Sequence, residues 1–149
     1  YIPAGFWNST FFVKGTAGVI RGYNGKPIPI YENFYVGGLH TVRGFKYGEA
    51  GPMDEYGDPI GAKNQLFFNL EWIFPIFTPV GLKGVIFFDA GHGFEENKGF
   101  LLNGTRTSAG TGIRWFSPFG PIRLEIGFNL NPKKDEKRSV FDFAIGSQF

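Results

Sequence analysis

The 149-residue sequence contains no cysteine. That excludes disulfides and thiolate chemistry and is compatible with any compartment. Only two imidazoles are present, His40 and His92, and neither has a neighbour at metal-ligand spacing. No stretch approaches the roughly 18 apolar residues of a membrane helix. This leaves membranes open, because a β-barrel hides its apolar surface in every second residue. The formal charge of +2 gives no reason to propose nucleic-acid binding. No initiator methionine and no basic-plus-apolar signal segment precedes Tyr1, so the chain reads as a mature or excised piece, one domain over residues 1–149.

What the chain has in excess is glycine, 23 residues, and aromatics, 19% with 19 Phe. A soluble helical protein would instead be rich in Leu, Ala, Glu and Lys. Several segments alternate with the period of two that marks a strand. In Pro121–Leu130, Ile122, Leu124, Ile126, Phe128 and Leu130 oppose Arg123, Glu125, Gly127 and Asn129. In Ser139–Phe149, Phe141, Phe143, Ile145 and Phe149 oppose Asp142, Gly146 and Gln148. Arg106, Ser108, Gly110, Gly112 and Arg114 oppose Thr107, Ala109, Thr111, Ile113 and Trp115. Leu66, Phe68, Leu70 and Trp72 oppose Gln65, Asn69 and Glu71, while Leu82, Ile86 and Phe88 oppose Lys83 and Asp89. Thr10–Arg21 is a weaker strand ahead of these.

The connections separate a membrane barrel from a soluble sandwich. A long segment, about 22–63, is followed by a short turn, Pro75–Gly81, and then a medium loop, Gly91–Gly104. Another short turn, Ser117–Pro121, precedes the polar loop Asn131–Arg138. Long and short alternate strictly, which puts the long loops at one end of an up-and-down sheet, as in outer-membrane barrels. Strands of some ten residues, tilted, cover an apolar band of roughly 25 Å. Trp72 and Trp115 lie beside the short turns, where an interfacial aromatic girdle belongs. The expected fold is all-β, an antiparallel up-and-down transmembrane β-barrel. Six strands fall below the roughly eight at which single-chain bacterial barrels begin, and unpaired edges cannot face lipid. The piece therefore belongs to a larger barrel or closes as a homo-oligomer, for example two copies forming one barrel.

Four motifs then occur in order. Gly37-Gly38-Leu39-His40-Thr41-Val42-Arg43-Gly44-Phe45 resembles the VRGF loop signature of the BamA/TamA superfamily of outer-membrane assembly and secretion barrels. Gly51-Pro52 follows it, and Phe87-Phe88-Asp89-Ala90-Gly91 is similar to that family's F-x-DAG strand end. Gly110–Arg123 resembles its GxGxRWxSPxGPxR hairpin, and Phe141–Phe149 its aromatic-terminated last strand. The resemblance covers nearly the whole chain. It implies an outer-membrane barrel preceded by periplasmic POTRA domains, with this chain matching the last strands and the large inward loop. It also implies bacterial outer-membrane localisation and unfolded outer-membrane proteins as clients. Accessory assembly lipoproteins would be partners of the full-length protein.

The resemblance further implies that the VRGF arginine reaches into the lumen and meets acidic residues on the two following strands. The matching positions are Arg43, Glu71 and Asp89, a lumen latch. Independently, the alternation puts Glu71 and Asp89 on the polar faces of their strands. A guanidinium can serve two carboxylates at once, and Gly37, Gly38 and Gly44 give the loop backbone freedom to fold tightly. Val42 and Phe45 complete the loop motif. In the last strand, Phe141, Phe143, Ile145 and Phe149 resemble an assembly signal, and that strand's edge is a candidate lateral gate.

Other readings are weaker. Met53–Asp58 carries three carboxylates but lacks the ligand spacing of a Ca²⁺ loop and reads as a solvated tip. Lys133–Arg138 alternates in sign and reads as a hydrated loop near lipopolysaccharide. No catalytic arrangement, cofactor motif or metal site is expected. The rival functions are a polypeptide-secreting barrel of the same superfamily, a passive porin-like barrel, and a soluble carbohydrate-binding sandwich.

Overall fold

A computed structural model describes residues 1–22, 28–95 and 104–146. Among these, seven strands form a single sheet in which each pairs antiparallel with its sequence neighbour. They are β1 (Ile2–Pro3), β2 (Thr10–Val19), β3 (Asn64–Phe77), β4 (Leu82–Phe94), β5 (Arg106–Ser117), β6 (Gly120–Asn129) and β7 (Ser139–Ile145). β1 and β7 are not paired to each other, so the sheet is open. Among the described residues no helix is long and apolar enough to cross a membrane, which has no bearing on crossing by strands.

One more strand appears than the alternation predicts. β1 is two residues long, too short to show a period, and is held by a turn in which Trp7 and Asn8 take φ of 52° and 47°. Successive left-handed residues are the mark of a tight hairpin turn. β3 runs past Pro75 to Phe77, beyond the expected turn boundary, because the register shifts between Pro75 and Phe77 and absorbs the missing N–H. β4 extends to Phe94 by pairing Gly91, His92 and Gly93 with Phe67, Leu66 and Gln65, so the loop expected from Gly91 starts later. β7 ends at Ile145, where Gly146 turns to φ 72°. Phe149, the terminal aromatic of the expected signal, lies outside the described residues.

The faces follow the alternation. Phe68, Leu70, Ile86, Phe88, Phe128 and Phe143 are all exposed, Phe143 at 56%. Opposite them, Glu71, Asp89, Arg114, Arg123 and Glu125 are buried, Glu125 at 1%. Burying charge and exposing Phe inverts the soluble arrangement. It suits a sheet whose outer face meets lipid and whose inner face encloses a polar interior.

The inner face is not uniformly polar. Phe67, Val85 and Phe87 point inward and are buried, against the simple expectation that this face carries charge and glycine. The β2–β3 connection explains them, because it folds over this face. Its Val36, Val42, Phe45 and Ala50 form one apolar cluster with Phe67 of β3. The loop is closed by a bridge between Phe34 and Ala62 and tied to the sheet where Gly93 N donates to Ala50 O at 2.9 Å. The apolar core of the described residues is thus the contact between an inserted loop and the sheet.

Candidate functional site

The inserted loop turns tightly just before Arg43. Gly38 N donates to Val42 O at 3.0 Å, Thr41 N to Gly38 O at 3.1 Å, and Gly37 N to the Thr41 hydroxyl at 2.8 Å. Gly37 holds φ 124°, and a Cβ there would lie 2.4 Å from Lys46 O. Only glycine fits that combination. Val42 and Phe45, on either side of Arg43-Gly44, anchor the segment in the apolar cluster.

Arg43 is 1% exposed. Its Nε and Nη2 donate side-on to the two oxygens of Asp89 on β4, at 2.6 and 2.7 Å. Its backbone N–H donates to the same carboxylate at 3.0 Å. Nη1 donates to Glu71 of β3 at 2.6 Å and to Glu125 of β6 at 3.0 Å. The guanidinium carbon stands 3.7 Å from the centre of the Phe87 ring, a stacking distance that adds cation–π attraction. Asn69 donates to Asp89 at 2.9 Å and to Thr41 O at 2.6 Å, tying the carboxylate to the loop turn. Burial alone would disfavour the charge on Arg43. The hydrogen bond and charge of Asp89, with the charges of Glu125 and Glu71, outweigh it and raise the pKa above its ordinary value.

Two further arginines complete the cluster. Arg114 of β5 bridges Glu71 at 2.8 Å and Glu125 at 2.9 Å, and Arg123 of β6 donates twice to Glu125, both at 2.8 Å. Three cations meet three carboxylates, each member hydrogen-bonded, which is the condition under which buried charge is tolerable.

Glycines shape the seat. A Cβ on Gly127 would fall 2.4 Å from Gly44 N, so the loop backbone lies directly on β6. A Cβ on Gly110 would meet the Phe87 ring at 2.4 Å, and one on Gly112 would meet Glu125 Cγ at 2.5 Å. The β5 glycines therefore leave the space that the platform ring and the third carboxylate occupy.

Arg43, Glu71 and Asp89, singled out in the sequence, are brought together here, and Gly37, Gly38, Val42, Gly44 and Phe45 belong to the loop segment that delivers Arg43 to the two strands. Glu125, Arg114, Arg123, Phe87 and Gly127 were not singled out. All five fall on the inward parity of their strands, which was the available signal. Phe141, Phe143 and Ile145 lie elsewhere, on the exposed face of β7.

The loop expected to be hydrated, Lys133–Arg138, departs in one residue. Glu136 turns inward, where its carboxylate accepts from Arg106 Nη2, from Asn129 Nδ2 at 3.2 Å and from Lys133 N at 2.7 Å. Arg106 in turn lies 4.9 Å over the Phe45 ring. At the Met53–Asp58 tip, Asp54 accepts from the backbone N–H groups of Tyr56 and Asp58 at 2.9 and 2.8 Å, as in a hydrogen-bonded turn. Among the described residues no group of three His, Cys, Asp or Glu side chains is placed to hold a metal ion.

Residues 1–149 match the model of the Omp85 superfamily domain. The chain is 35% identical over 126 residues to the outer membrane protein assembly factor BamA of Nitratidesulfovibrio vulgaris, covering 82% of this chain and 16% of that protein. It is 31% identical over 172 residues to the protein of the same name from Neisseria meningitidis, covering 94% of this chain and 22% of the other. The chain thus spans less than a quarter of the length of these relatives. In fold it resembles the crystal structure of BamA from Haemophilus ducreyi lacking POTRA domains 1–3. The TM-score is 0.77 at 24% identity, over 95% of this chain and 32% of that one.

Proposed function

This chain belongs to the Omp85 superfamily, and from that membership we propose that it is the C-terminal part of a bacterial outer-membrane barrel that assembles other β-barrel proteins. The relatives named as outer membrane protein assembly factors support the reading, as does the inverted distribution of charge and aromatics over the two faces. Clients would be unfolded outer-membrane proteins, and accessory lipoproteins would join through the rest of the full-length protein.

The observation that carries the proposal is the seat of Arg43. One guanidinium joins the inserted loop to β3, β4 and β6 at once, so the loop is held inside the barrel as a latch. A lumen filled by an ion-paired loop disfavours a freely conducting porin. Breaking one partner of a buried ion pair costs about 3–5 kcal/mol. In the full-length protein, Arg43→Ala should therefore increase protease cleavage within the 37–63 segment and reduce client insertion into proteoliposomes. Unchanged protease access would sink the latch. Changed access with normal insertion would sink its role in assembly.

A further inference from the structure

We propose that the β6–β7 connection, residues 130–138, is a binding site for the phosphate groups of anionic lipid in the leaflet at the long-loop end. The proposal rests on the barrel reading above. It begins with the inward turn of Glu136. With that carboxylate committed to Arg106, Asn129 and the Lys133 N–H, the tip keeps Lys133, Lys134, Lys137 and Arg138 against Asp135 alone. All five are exposed, and none of the four cations is ion-paired among the described residues. The contrast with the interior is sharp: Arg43, Arg106, Arg114 and Arg123 are all buried and paired.

The tip is also braced. Thr107 N donates to Asn131 Oδ1 at 3.0 Å, Asn131 Nδ2 to Thr105 O at 2.8 Å, and Glu136 N to Lys133 O at 3.2 Å. Asp135 takes φ 71°, a left-handed bend that Asp tolerates, with two cations on each side of it. A held cluster loses less freedom on binding than a loose one.

Position decides the ligand. The outward apolar series runs through Phe128 of β6 to Leu130 just past its end and resumes at Phe141 of β7, all three exposed. The cations stand immediately beyond that apolar edge, at headgroup height. At the opposite end, the turns Ala4–Ser9, Thr78–Gly81 and Ser117–Gly120 contain no charged residue. Clustered lysines beside an apolar band attract anionic lipid at about 1 kcal/mol each, and an ammonium suits phosphate as a point charge.

The test reconstitutes the full-length protein in phosphatidylcholine vesicles with and without lipid A, and counts lipid A retained per re-extracted barrel. Each of Lys133→Ser, Lys134→Ser, Lys137→Ser and Arg138→Ser should lower retention about fivefold at low salt. Lys137→Arg should preserve it, and dephosphorylated lipid A should not be retained. If the fourfold variant inserts, migrates as a folded barrel and retains as much lipid A as the parent, the site is refuted while the assembly reading stands. Equal retention of dephosphorylated lipid A also refutes it. Failure of the parent protein to insert into bilayers overturns the barrel reading and the lipid site together.

Discussion

Arg43 and Gly127 set opposite demands at one point of the molecule. Arg43 needs three carboxylates and a ring around it, and Gly127 must offer no side chain at all. Of this site, the inward parity of Glu71 and Asp89 was legible in the sequence, because alternation is a local property. Glu125 shared that parity but could not be chosen, since which inward residue meets a loop some eighty residues earlier depends on where the loop lands. The same holds for Phe87, whose apolar ring looks like a break in a polar face until the guanidinium above it is known. A residue-scale prediction follows from the contact of Gly127 with Gly44. Gly127→Ala puts a methyl 2.4 Å from Gly44 N, and the overlap is with backbone, which cannot rotate away. We expect amide hydrogen exchange at residues 42–45 of the full-length protein to accelerate at least tenfold, with little change in β3 and β4. Unaltered exchange there would show that the loop does not depend on this close approach.

Strands long enough to repeat their period were readable as elements; boundaries and the shortest strand were not. β1 has two residues and no period to detect, and the end of β3 is set by a register shift at proline rather than by the proline itself. The β6–β7 connection was misjudged in one residue because Glu136 is one of two adjacent acids in a charged run. Nothing local distinguishes it from Asp135; Arg106, thirty positions away, does. Glu136→Gln removes the ionic acceptor and weakens a charge-assisted bond of about 1.5–3 kcal/mol. The expected outcome is faster hydrogen exchange at residues 131–138, while the loop around Arg43 keeps its protection because Asp89 and Glu71 still hold it. If exchange in 131–138 does not change, the bracing assigned to Glu136 is wrong.

Taken whole, the described sheet has two unsatisfied flanks. β2 is paired beyond β3 only at Phe11 and Thr10, and β7 pairs only with β6. Such edges recruit other strands and cannot remain bare in lipid. The isolated 149-residue chain should therefore require detergent and run as an oligomer in light-scattering chromatography. A stable monomer in detergent would mean that the flanks are covered in some other way. The same topology has a mechanical result. Every ion pair to Arg43 comes from β3, β4 or β6, and the neighbouring bridges come from β5 and β6. The rivet runs through the middle of the sheet and spares its margins. Parting the wall beyond β2 or β7 then breaks no bond to the plug, yet Phe12 of β2 and Asp142 of β7 stand directly across from Glu71 and Glu125, so a lesion at a margin and one at the rivet should couple instead of simply adding.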